Sequence, residues 1–161
     1  MCGIAGIFNA RGREVSADAL RAMTRAMASR GPDGEGTWSG EKEQAHVALG
    51  HRRLAILDLS PAGAQPQWNE RRTMALVYNG EIYNFHELKK ELEQTGHRFS
   101  SRCDSEVVLH AYEEWGVGCL SRFNGMFAFA LWDGERGRMF LARDRYGVKP
   151  LYYTRARSGD F

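Results

Sequence analysis

The sequence has no stretch approaching the roughly 18 apolar residues that a membrane-spanning helix requires, and polar residues begin at Asn9. Its start therefore has neither the basic segment nor the apolar core of a secretory signal. Cysteine is sparse: Cys2, Cys103 and Cys119 form an odd set with no C-x-x-C pair, which argues against a disulfide framework or a cysteine zinc site. The five histidines are scattered, without H-E-x-x-H or comparable ligand spacing. Charge is nearly balanced, at +2, so no basic excess points to nucleic acid. Internal repeats and low-complexity segments are absent. These absences lead to the expectation of a cytoplasmic, metal-free protein whose partners include neither a membrane nor nucleic acid.

What is present suits one globular domain over residues 1–161. The hydrophobic content is 43% and the charged content 26%, and the length suffices to bury a core. The most informative stretch is Met1-Cys2-Gly3-Ile4-Ala5-Gly6-Ile7-Phe8. Removal of Met1 would leave Cys2 with a thiol and a free α-amine on one residue. Such an amine has a reference pKa of roughly 7.7–8.0, against roughly 10.4 for lysine, so it can act as a base near neutral pH. A nucleophile activated by its own terminal amine is an established form of covalent catalysis. The apolar run behind it reads as a strand that anchors the terminus. The same eight residues also suit an edge strand with an incidental cysteine.

Farther along, Ser16 reads as the N-cap of a helix to about Arg30, with Leu20, Met23 and Met27 on its core face. Arg30 to Gly36 is a glycine-rich loop, either a connector or backbone passing close to something. Short strands are expected near Gly36–Ser39 and Ala45–Leu49. They lead into Gly50-His51-Arg52-Arg53-Leu54, where an arginine beside an apolar run either lies on a solvated rim or meets an anion. A strand over Met74–Tyr78 ends in Asn79-Gly80-Glu81, placed at a strand-to-helix turn. Asn84 and Glu87 have the spacing of a capping box for the next helix. A short strand over Arg98–Ser101 precedes Asp104, which either caps the following helix or serves a site. Val117–Phe123 suits one more helical turn. Met126–Trp132 reads as a strand covered on both faces, with a hairpin at Asp133-Gly134 into Arg138–Ala142. Arg143 to Pro150 is a charged turn, Leu151–Arg155 a last strand, and Ser158-Gly159 a further turn.

Several of these segments carry a resemblance in their order. Met-Cys-Gly-Ile-Ala-Gly, Arg30-Gly31-Pro32-Asp33, Gly50-His51-Arg52-Arg53-Leu54, Tyr78-Asn79-Gly80-Glu81-Ile82-Tyr83-Asn84 and Asp104-Ser105-Glu106 are followed by Gly125 to Ala130 and Arg143 to Tyr153. Together they closely resemble the class II glutamine amidotransferase domain that opens glutamine-hydrolysing asparagine synthetases. The resemblance covers essentially the whole chain. It implies the N-terminal-nucleophile hydrolase fold, an α+β four-layer αββα sandwich of two mainly antiparallel sheets between helix layers. Strand counting alone does not choose that fold over other α+β layouts.

The resemblance also implies roles. Cys2 is the nucleophile, with its freed amine as base and acid. The Asn79 side-chain N–H and the Gly80 backbone N–H form the oxyanion hole. Arg53 takes the α-carboxylate of L-glutamine, Asp104 with Glu81 holds its α-ammonium, and Leu54, Ile56 and Leu57 line the pocket, partly through backbone. No metal or cofactor is implied for this domain. ATP and Mg belong to a synthetase domain that receives the ammonia, and a homodimer of the full-length protein is compatible with the family. That synthetase domain, with its Ser-Gly-Gly-x-Asp-Ser loop, is absent from this chain, and the glutaminase domain itself usually runs past Phe161, so a truncated domain is expected. Cys103 departs from the family, which more often has Ser or Thr there. The Arg30-Gly31-Pro32-Asp33 segment favours the asparagine-synthetase type over sugar-phosphate and phosphoribosyl relatives. An amidotransferase for a sugar, envelope or peptide acceptor and a non-catalytic docking domain remain as alternatives.

Overall fold

The structure is a computed structural model and describes residues 1–156. Its first sheet is built from β1 (Gly3–Asn9), β2 (Gly34–Lys42) and β3 (Ala45–Arg53), in the order β1-β3-β2 with all pairings antiparallel. The second contains β4 (Gln67–Trp68), β5 (Met74–Ile82), β6 (Gly125–Asp133) and β7 (Arg138–Arg143), adjacent in that order and again antiparallel. Helix α1 (Ala17–Ala26) covers the first sheet, and α2 (Phe85–Gln94) and α3 (Asp104–Trp115) cover the second. The αββα sandwich implied by the resemblance is therefore the fold. Among the described residues no helix is long and apolar enough to cross a membrane.

Period-two alternation in the strands produces the layers. On β5, Ala75 and Val77 enter the core between the sheets, whereas Met74, Leu76 and Tyr78 face α2 and α3. On β6, Ala130 and Trp132 turn to the inter-sheet side and Phe127, Phe129 and Leu131 to the helices. Both faces of this central strand pair are buried, which is why Met126 to Trp132 is a continuous apolar run in sequence.

Helix α1 begins as expected, with the Ser16 hydroxyl accepting from the Ala19 N–H at 3.1 Å. Its buried face differs from the expected one. Met23 is exposed, and Thr24 lies inside with Leu20. Thr24 satisfies its hydroxyl by donating to the Leu20 carbonyl at 2.8 Å, so burial strands no polar group. It also lies against Gly50 of β3, where any Cβ would collide with its Oγ1. Close helix–sheet approach thus selects the small residue over methionine.

Five further expectations change. Strands β2 and β3 run longer than expected and form one hairpin that takes up Gly50 to Arg53. The Asn79-Gly80 pair is strand interior, because β6 pairs with β5 all the way to Ile82. The capping box does not form: the Asn84 side chain donates to the Arg122 carbonyl and accepts from the Asn124 N–H, both at 3.0 Å, pinning two loops together. Residues Arg98–Ser101 make no strand. Instead the backbone N–H and hydroxyl groups of Ser100 and Ser101 converge on the buried Glu106 carboxylate. Leu151–Arg155 is not a strand either, and Ser158-Gly159 lies outside the described residues. The turn expected over Val117–Phe123 is a 3-10 helix, Gly116–Ser121.

Candidate active site

Strand β1 pairs with β3 from Gly3 opposite Arg52 onward, so Cys2 is held at the lip of the first sheet rather than left to fray. The Leu54 N–H points at its sulfur at 3.4 Å, and the Arg30 Nε donates to its carbonyl at 3.2 Å. The glycine-rich loop after α1 is a close approach. Gly31 lies on the backbone of Arg52 and Arg53, where a Cβ would collide. Asp33 donates its N–H to the Arg53 carbonyl at 3.0 Å and accepts from the Ala55 N–H at 2.9 Å. This loop therefore sets the course of residues 53–55 beside the cysteine.

Cys2 opens into a cavity of about 180 Å³. Every residue expected at the site lines it: Cys2, Arg53, Leu54, Ile56, Leu57, Asn79, Gly80, Glu81 and Asp104. The fold brings them from the residue ahead of β1, the end of β3 and the loop after it, β5 and the start of α3. Ile56, Leu57 and Glu81 lie at its exposed rim.

Arg53 donates to the Ser60 carbonyl at 2.9 Å and to the Asp58 carbonyl, so its neighbours position the guanidinium without neutralising it. Arg52, by contrast, turns away to pair with Glu35 at 2.6 Å. The Ser60 hydroxyl and the Arg102 N–H hold the Asp58 carboxyl at about 2. Gly63 leaves room for Arg53 and for the Cys103 sulfur, which a Cβ there would meet at 2.7 Å.

At the opposite side, Asp104 is the first residue of α3 but does not serve as its side-chain cap. Its Oδ2 accepts from the Tyr78 hydroxyl at 2.6 Å and the Ile82 N–H at 2.8 Å. Burial pushes the Asp104 carboxyl up, and those two donors oppose the shift. Burial beside Asp104 likewise raises the Tyr78 phenol well above its ordinary value.

The open edge of β5 supplies a donor between these groups. Opposite Gly80, the Phe127 N–H donates to the Asp144 carboxylate at 3.1 Å and its carbonyl accepts from the Asp144 N–H at 2.8 Å. Gly80 is thus at a position without ladder bonds to β6, and its N–H turns to the other edge. Two residues either way on that edge, the Tyr78 N–H is taken by the Gln65 side chain at 2.7 Å and the Ile82 N–H by Asp104. The Gly80 N–H lies between them, on the cavity. Any larger residue at 80 is blocked, since a Cβ would stand 2.5 Å from the Met126 carbonyl.

A nucleophile, a cation, a carboxylate and an N–H donor around one small cavity suit acyl transfer from an amino-acid side chain. Residues 1–161 match a family model described as the glutamine amidotransferase domain. This chain belongs to the glutamine amidotransferase domain family. It is 42% identical over 161 residues to "Asparagine synthetase [glutamine-hydrolyzing] 3" of Bacillus subtilis, covering 98% of this chain and 25% of that protein. It is 39% identical over 164 residues to "Amidase chry2" of Gibberella zeae, covering 96% of this chain and 24% of that protein. Among solved structures, glutamine phosphoribosylpyrophosphate amidotransferase from B. subtilis matches with a TM-score of 0.67 and 26% identity, over 91% of this chain and 38% of that one. The chain spans about a quarter of the length of these curated relatives.

The glutamine amidotransferase domain also places residues that sequence reasoning missed. Lys149 is buried on the cavity wall, with its Nζ 3.0 Å from the Met1 sulfur. Asp144 brings it there by accepting from the Val148 N–H at 2.8 Å and the Lys149 N–H at 2.9 Å. In sequence the segment reads as a charged turn and as part of the resemblance, with no site role attached to Lys149. His51 also lines the cavity, and burial pushes its imidazole down to about 4, leaving it neutral.

Proposed function

We propose that the domain hydrolyses the side-chain amide of L-glutamine to glutamate and ammonia through a thioester on Cys2. The observation that carries this reading is the opening of Cys2, Arg53, Gly80 and Asp104 onto one cavity. Met1 is removed first, which frees the Cys2 α-amine. The amine takes the thiol proton, and the thiolate attacks the amide carbon of glutamine. Negative charge develops on the amide oxygen, where the Asn79 side chain and the Gly80 N–H donate. Loss of one such donor costs on the order of 10²–10³ in rate. The ammonium formed on the terminus returns its proton to the departing nitrogen, which leaves as ammonia. Water then attacks the thioester carbonyl, releasing glutamate and restoring the thiol. Arg53 binds the α-carboxylate of the substrate, and Asp104 with Glu81 binds its α-ammonium.

In this reading the ammonia passes to an asparagine-synthetase-type module, and ATP and magnesium serve that module alone. The three cysteines are free thiols, which supports a cytoplasmic setting.

Two variants test the substrate contacts. Arg53→Ala removes the one guanidinium that lines the cavity among the described residues, and steady-state assays are expected to show KM for glutamine raised by roughly 10²-fold or more. An unchanged KM removes Arg53 from substrate binding. Tyr78→Phe acts through charge. Asp104 must be ionised to hold an ammonium, so kcat/KM falls as pH drops through its pKa. Taking away the Tyr78 donor weakens the carboxylate form and raises that pKa further. The acid limb of kcat/KM is therefore expected to move to higher pH, whereas an unmoved limb excludes Asp104 as the titrating group.

A further inference from the structure

Folding gathers a set of side chains that spacing in the sequence did not reveal. Helix α2 ends in a Schellman turn at Gly96 (φ 103°), with the His97 N–H donating to the Leu92 carbonyl at 3.0 Å. This turn sets His97 against α3, where His110 and Glu113 stand three residues apart on one face. The three ligand atoms form a tight triangle. His97 Nδ1 is 3.2 Å from His110 Nδ1, Glu113 Oε2 is 3.5 Å from His110 Nδ1, and Glu113 Oε2 is 3.8 Å from His97 Nδ1. A tetrahedral zinc with bonds of roughly 2.0–2.1 Å holds its ligand atoms roughly 3.3–3.4 Å apart.

The surroundings prepare these atoms as ligands. Behind His97, Nε2 meets the Glu114 carboxylate at 3.1 Å, and behind His110, Nε2 lies 3.9 Å from Glu106. The Glu114 carboxylate accepts, so His97 places its N–H on Nε2 and turns its Nδ1 lone pair inward, while the Glu106 charge faces the far side of the His110 ring. This is the carboxylate–histidine arrangement that orients metal-bound imidazoles. The other Glu113 oxygen is occupied: Oε1 accepts from Asn69 and Arg71, each at 3.1 Å. Oε2 is left for the triangle. With both Nδ1 atoms unprotonated, three lone pairs converge on one point, and one metal ion satisfies all of them.

We propose that His97, His110 and Glu113 form a divalent transition-metal site of the zinc class, separate from the cavity that holds Cys2. It ties the end of α2 to α3. His110 is buried, whereas the side chains of His97 and Glu113 keep 13% and 16% of their surface, so metal enters and a fourth ligand, water, binds from that side. Imidazole and carboxylate ligands suit Zn2+, with Co2+ as its spectroscopic substitute.

The test is a Co2+ titration of the full-length protein with its thiols alkylated, compared with His97→Ala checked for folding by circular dichroism. One equivalent is expected to give visible bands of a tetrahedral site, to be displaced by Zn2+, and to be missing from His97→Ala. Glu114→Gln is expected to weaken Co2+ roughly 10–100-fold. Absence of the bands in the unmodified sequence, or equal uptake by His97→Ala, overturns the proposal.

Discussion

Replacing Cys2 with Ala is expected to lower glutamate release from glutamine by at least about 10⁴-fold, while glutamine binding measured by calorimetry stays close to that of the unmodified protein. The sulfur is half-buried and belongs to none of the hydrophobic cores, so its loss leaves the fold in place. Neither remaining cysteine can substitute. Burial, reinforced by Asp58, raises the Cys103 thiol, and burial pushes Cys119 up to about 12, so both stay protonated at neutral pH. Cys103 lines the same cavity and is the natural competitor. Full activity in the Cys2→Ala protein would remove the proposed nucleophile.

Keeping a residue in front of Cys2 is expected to inactivate the domain almost as thoroughly. An amide nitrogen in place of the terminal amine cannot accept the thiol proton, and general-base catalysis contributes typically 10²–10⁴-fold. Met1 adds a steric cost. It lines the cavity, with its sulfur against the buried Lys149 Nζ, so its side chain occupies space beside the reacting thiol. A chain carrying an uncleaved N-terminal extension should therefore turn over glutamine at least about 10²-fold more slowly. Proteolysis that leaves Cys2 first should restore the rate. Equal rates for extended and processed chains would contradict the terminal-amine mechanism and move the base elsewhere.

Individual strands such as β1 and β6 were legible as short apolar runs, a property local to each strand, whereas the sandwich they build was legible only through the resemblance and not through counting strands. The positions that misled depend on partners far away in sequence. Asn79-Gly80 carries a turn signal, and only the length of β6 keeps it extended. That extension matters chemically, since a strand edge points the N–H groups of 78, 80 and 82 the same way and leaves the middle one on the cavity. Asn84 has the spacing of a cap, but Arg122 and Asn124 lie within reach and claim its side chain. Met23 lost its core position to Thr24 because Gly50 admits a closer helix than a methionine allows. At the site, Cys2, Arg53 and Asp104 stand out as residue types whose chemistry needs partners. Lys149 showed only inside a segment of the resemblance, with no role of its own, and the His97–His110–Glu113 triangle gave no signal because tertiary packing alone brings its members together.

The central claim is that a processed N-terminal cysteine attacks glutamine. Incubation with a glutamine-analogue diazoketone followed by intact-mass and peptide mapping tests it in one measurement. The account predicts a chain lacking Met1 and carrying one covalent adduct, located on Cys2. An unmodified chain, an adduct on Cys103, or an adduct on a chain that still begins with Met1 would contradict it.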